Sequence, residues 1–121
     1  MYIRFVVGGY SQHPREMHGP FTEAAHLRDE GALEDYERRQ VEEIFAWFNK
    51  ELPCPPWSSM NWTNDAISWF KDTAQSFVSR MYDIVVILRE HGIQTRVLKT
   101  ESLFKILYED EYQVIAVDKR F

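Results

Sequence analysis

The order in which short strand patterns and long helix patterns follow one another constrains this chain more than any single residue. Tyr2 to Val7 is a β-branched and aromatic run that stops at Gly8-Gly9, which predicts a strand. Two amphipathic helix patterns fill the middle. Three short strand patterns close the chain. A β-α-α-β-β-β order predicts an α+β fold: a small, mostly antiparallel sheet of about four strands, covered on one face by two main helices. A single domain spanning residues 1–121 is expected, because a chain of 121 residues has no room for a second ordinary core.

The first main helix is expected over Leu33 to Leu52. Leu33, Tyr36, Ile44, Phe45, Phe48 and Leu52 recur at three- and four-residue steps, and Glu34, Arg38, Glu42 and Glu43 fall elsewhere. Pro53 ends it, since the residue before a proline avoids the helical region. The second is expected over Asn64 to His91, with Asn64 as N-cap and Ile67, Phe70, Ala74, Phe77, Met81, Ile84, Val85 and Leu88 as its apolar stripe. Gly92 stands where a left-handed C-cap is wanted. A shorter helix is expected over Thr22 to Glu30, capped by Thr22 and stopped by Gly31. Tyr10 to Pro20 carries two prolines and a glycine and reads as loop.

Ile93 to Leu98, Leu103 to Tyr108 and Tyr112 to Val117 are the closing strands. Glu109-Asp110-Glu111 is a tight charged turn, so the last two strands form an antiparallel hairpin. Val114 to Val117 is apolar on both faces and therefore belongs in the middle of the sheet.

A net charge of −5 with scattered basic residues argues against nucleic acid, whose phosphates call for clustered Lys and Arg, and against an anionic membrane surface. Aromatic residues make up 15% of the chain, enough for a good core with rings left over for an interface. The single Cys54 can form no internal disulfide. Met1 to Val7 is too short for a secretory signal, and Ile84 to Leu88 is far below membrane-spanning length. A soluble cytoplasmic protein is expected, with no cofactor or metal.

At Trp47-Phe48-Asn49, Leu52-Pro53, Ala66 to Lys71 and Tyr108 to Val114 the chain resembles a group of small bacterial hypothetical proteins, over most of its length from Phe21 onward. The resemblance implies a bacterial cytosolic origin. It implies no activity and no functional residue.

The connection from Pro53 to Thr63 holds three prolines, which stiffen it, followed by Trp57, Met60 and Trp62. Tryptophan on a scaffolded loop is a frequent binding anchor; the alternative is that both rings fold back over the helix ends. The acidic helix face of Glu34, Glu42 and Glu43 would favour a basic protein partner. His13, Glu16 and His18 share a loop but match no strong metal motif. His26 and His91 stand apart, and His91 is expected at a helix C-terminus, where its charged form is favoured. Cys54 has no histidine near it in sequence to draw off its proton. Val7-Gly8-Gly9 follows a strand but lacks the prompt helix of a phosphate loop.

Two functions are consistent with these residues. The leading one is a non-enzymatic protein-binding module, of the inhibitor, immunity or antitoxin-like kind, docking a protein through Trp57, Met60, Trp62 and the acidic face. The other is a small enzyme using His13 and His18 with Cys54 or Tyr108 in a pocket at the sheet edge. A cleft gathering those polar groups would favour the enzyme.

Overall fold

A computed structural model of the chain describes residues 1–8, 19–54 and 66–117. The element order is β1 (Tyr2–Val7), α1 (Pro20–Asp29), α2 (Asp35–Glu51), β2 (Ala66–Lys71), α3 (Gln75–Glu90), β3 (Thr95–Thr100), β4 (Lys105–Glu109) and β5 (Gln113–Val117). The fold is α+β, with an antiparallel sheet and helices on one face. The sheet has five strands in the order β3-β1-β2-β5-β4, and every pairing is antiparallel.

The shorter helix expected near Thr22 joins the two main ones, so three helices pack on the sheet. Two expectations need correction. Among the described residues the sheet has five strands, not about four, and the element order is β-α-α-β-α-β-β-β. The cause is one segment. The helix expected from Asn64 is a strand, β2, then a turn at Asp72-Thr73, then α3 starting at Gln75. Ile67, Phe70 and Ala74 satisfy helical spacing, but a run of Ile67, Trp69 and Phe70 suits a pleated surface equally well. Pairing with β1 (Ile3 opposite Phe70) and with β5 (Trp69 opposite Val114) settles the choice. The expected cap Asn64 lies outside the described residues.

Helices α1 and α3 end alike, at the two glycines singled out. Gly31 and Gly92 have φ of +71° and +75°, where a side chain would be strained. At the first, Ala32 N–H donates to Leu27 O at 2.9 Å; at the second, Ile93 N–H donates to Leu88 O at 3.0 Å. These are Schellman closures, which satisfy carbonyls left open at a helix end. Helix α1 begins earlier than expected, with Gly19 at the cap position and Pro20 in its first turn.

The register gives the sheet two faces. Ile3, Phe5 and Val7 of β1 join Phe70 and Val97 on the helix side, and the core there includes Val41, Ile44, Phe48, Phe77, Met81, Ile84 and Leu88. Phe77 is its centre: its ring lies 4.8 Å from Trp47, 5.5 Å from Phe48 and 4.7 Å from Tyr112. Val6, Trp69, Val114 and Ala116 point to the other face and are buried as well. All five residues of β5 are buried, as a strand between β2 and β4 should be.

The sheet is not flat. Thr100 and Lys105 occupy opposite ends of its two edge strands. In a flat sheet they would stand roughly 25 Å apart, by strand spacing and rise. Only four residues join them, which reach about 18 Å at most. Strong twist and coiling make up the difference. Part of it comes where β1 and β2 diverge, since only Tyr2–Lys71 and Ile3–Phe70 pair.

Candidate functional site

Helix α2 starts with a reciprocal cap. The Glu34 backbone N–H donates to Glu37 Oε1 at 2.9 Å, and the Glu34 side chain accepts the Glu37 N–H. The Gly92 turn at the end of α3 leaves His91 beside this cap. His91 Nε2 lies 3.0 and 3.1 Å from the two carboxylate oxygens of Glu37. A carboxylate can only accept, so Nε2 carries the proton and donates. Glu37 is 2% exposed. The Glu34 N–H holds its carboxyl below the ordinary range; burial opposes this, and the His91 hydrogen bond and charge add to it.

Tyr36, expected in the apolar stripe, is instead 61% exposed. Glu37 and Val41 take the buried positions at that end of α2. The charges of Glu37, Glu90 and Glu34 all act on its phenol. Glu37 contributes most to raising its pKa, followed by partial desolvation, Glu90 and Glu34. An exposed ring set among carboxylates, two of them on α2 or its cap and one on α3, is an arrangement that sequence reading missed. The Glu34-x-x-Glu37 spacing was its one legible sign.

Along the same helix Glu42 and Glu43 are exposed, as expected of the acidic face. Trp57, Met60 and Trp62 lie outside the described residues, as do His13, Glu16 and His18. Pro53 and Cys54, at the start of the proline-rich connection, are exposed.

The β4–β5 hairpin holds a second polar cluster. Asp110 Oδ1 accepts the backbone N–H groups of Tyr112 and Gln113 at 2.8 and 3.0 Å. Oδ2 accepts the Tyr108 hydroxyl at 2.8 Å and Gln113 Nε2 at 3.1 Å. Partial burial pushes the Asp110 carboxyl up, but these four donors outweigh it and leave the pKa below its ordinary value. Asp110 is therefore the clasp of the turn. The hydrogen bond to Asp110, then burial and the charges of Asp110 and Cys54, raise the Tyr108 phenol. A phenol held protonated is a poor base or nucleophile at neutral pH. Cys54 lies within electrostatic reach of Tyr108, but the tyrosine is committed to the turn.

Gly8 lines a cleft of about 340 Å³ with Arg89, Gly92 and Arg96. Its N–H donates to Gln94 O at 3.0 Å, so it is spent on the sheet and cannot cradle a phosphate. Among the described residues no three His, Cys, Asp or Glu side chains gather as a metal ion would require. No helix among them is long and apolar enough to cross a membrane. No family model, curated protein or solved structure gives a significant match to this chain.

Proposed function

We propose that this protein is a binding module that docks a protein partner bearing a basic surface. What carries the reading is Tyr36: a large ring, 61% exposed, on a helix, whose phenol feels the exposed carboxylates of Glu34 and Glu90. A lysine or arginine approaching such a site meets the ring face and an acidic rim together. Glu42 and Glu43 add exposed acid further along α2, with Arg39 between them and Tyr36, toward the Pro53–Thr63 connection, whose Trp57, Met60 and Trp62 would supply further anchors. The module acts as an inhibitor, immunity or antitoxin-like protein does, by occupying its partner.

The test starts from a partner recovered from the native host and purified. Tyr36→Ala should leave the melting temperature nearly unchanged and weaken binding by roughly 2 kcal/mol, about thirtyfold. Reversing Glu42 and Glu43 to Lys should slow association and flatten its dependence on salt. A partner that binds both variants as tightly as the parent would overturn the assignment to this face. Failure to recover any specific partner would overturn the reading itself.

A further inference from the structure

We infer that the outer edge of β3 takes up an extended segment of a protein partner as a further strand, with an acid-x-apolar-x-acid pattern on the side turned to α3. The backbone fixes which groups are on offer. Gly8 N–H donates to Gln94 O at 3.0 Å, which makes the two a hydrogen-bonded pair of the antiparallel ladder. Alternation along the register then commits Arg96, Leu98 and Thr100 to β1 and turns the N–H and C=O groups of Thr95, Val97 and Lys99 outward. Among the described residues no strand pairs with that side of β3. Its register with β1 runs unbroken from Thr95 to Thr100, whereas β4, the other edge, is shifted between Ile106 and Tyr108. A bulge blunts an edge, so β3 is the edge open to a new strand.

Helix α3 flanks this edge. Tyr82, Val86 and Arg89 follow at steps of four and three and form one stripe of the helix. Both ends of the stripe are tied to the sheet. The Tyr82 ring lies 5.1 Å from Phe5, whose register partner is Val97, and Arg89 Nε donates to Thr95 Oγ1 at 3.0 Å. Val86, between them, is 54% exposed, and Tyr82 is 40% exposed. Thr95, Val97 and Lys99 all turn their side chains to the helix side. The groove therefore runs from a cation, Arg89 beside Thr95, past apolar Val86, Val97 and Tyr82, to a second cation, exposed Lys99. An added strand places every second side chain in it, which calls for acid, apolar and acid in turn. That pattern reads the same in either chain direction. Arg89 spends one of its five N–H donors on Thr95, which positions the rest for a carboxylate. The acids Asp83 and Glu90 stand seven residues apart on another stripe of α3, and the charge of Glu90 acts on Tyr36. A second copy of this chain, paired antiparallel about Val97, would bring Lys99 of each copy against Thr95 and Arg89 of the other, and like charges oppose it. The β3 edge does not depend on the acidic face of α2.

The experiment uses the full isotope-labelled chain and the capped heptapeptide Ser-Glu-Thr-Ile-Thr-Glu-Ser. In the free protein the amides of Thr95, Val97 and Lys99 should exchange quickly with solvent, and those of Arg96 and Leu98 slowly, because only the latter are bonded to β1. Saturating peptide should slow the first three by about tenfold or more and leave the other two nearly unchanged. The same peptide with Lys in place of both Glu should bind roughly tenfold more weakly. The double variant Arg89→Glu, Lys99→Glu should reverse that preference. Val86→Ser, at an exposed position, should weaken the acidic peptide about fivefold. Should the double variant fail to fold, the exchange pattern and the ratio of the two peptides on the parent decide. Slow exchange of the three outward amides in the free protein, exchange unmoved by the peptide, or equal affinity for the acidic and basic peptides would each overturn the inference. Protection of those amides that grows with protein concentration alone would overturn it in favour of a second copy.

Discussion

His91, the residue that caps α3, holds both carboxylate oxygens of Glu37, the buried third residue of α2, and so ties the end of one helix to the start of another. Glu37 also closes the cap of its own helix. One carboxylate therefore sets the entry of α2 and the exit of α3 together.

This pair has a pH signature. Glu37 titrates below its ordinary value near 4.5 in the folded protein. As pH falls, the unfolded chain takes up its proton first. The stability Glu37 contributes is therefore full above that ordinary value and is lost as pH drops through the folded one. Glu37→Gln keeps the acceptor for Glu34 but cannot titrate, so urea unfolding as a function of pH should show a shallower acid branch. His91→Ala should cost roughly 1.5–3 kcal/mol at neutral pH, as for hydrogen bonds to a charged group. The figure stays below that of a fully buried pair, because His91 is partly open to water. Identical acid branches for parent and Glu37→Gln would refute the assignment.

The Asp110 clasp can be read through its tyrosine. Asp110→Asn removes the charge and turns one acceptor into a donor facing Gln113 Nε2. Ultraviolet titration should show one phenol, Tyr108, moving down toward its ordinary value of 10.0 when parent and variant are compared. Asp110→Ala should destabilise the hairpin by about 1–2 kcal/mol, because part-buried donors lose their acceptor. A tyrosine titration unchanged by Asp110→Asn would remove the proposed cause.

Phe77 is 4% exposed and has four other aromatic rings around it. Phe77→Ala should cost about 3–5 kcal/mol in chemical unfolding, a large part of the stability of a domain this size. A loss under 1 kcal/mol, on the same scale, would mean that the ring cluster repacks or is not the core.

Removing the chain from Tyr112 onward deletes β5, the strand between β2 and β4. It also strips β2 of its longer pairing, leaving it only the two-residue contact with β1, and leaves β4 with no strand partner. Cooperative thermal unfolding should disappear. A truncated chain that still melts sharply near the parent temperature would show that β5 is dispensable.

Much of the fold was legible because its signals are local. The left-handed stops at Gly31 and Gly92 depend on a missing Cβ, and both helices end there. The hairpin and the central place of Val114 to Val117 followed from a charged turn and a two-sided apolar run. The acidic residues Glu42 and Glu43 are on the surface because the periodicity of α2 leaves them nowhere else. Segments whose state depends on distant partners were not legible. Ala66 to Lys71 fits either a helix or a strand until β1 and β5 flank it. Nothing local marks Glu37 as buried; a histidine 54 residues away meets its carboxylate. Tyr36 counted as core by spacing, but Glu37 and Val41 take the buried positions at that end of α2, and the ring is left exposed. Periodicity records which side chains share a face. Only the tertiary packing decides whether that face meets the core, another charge or water, because burial and pairing are properties of two segments and not of one.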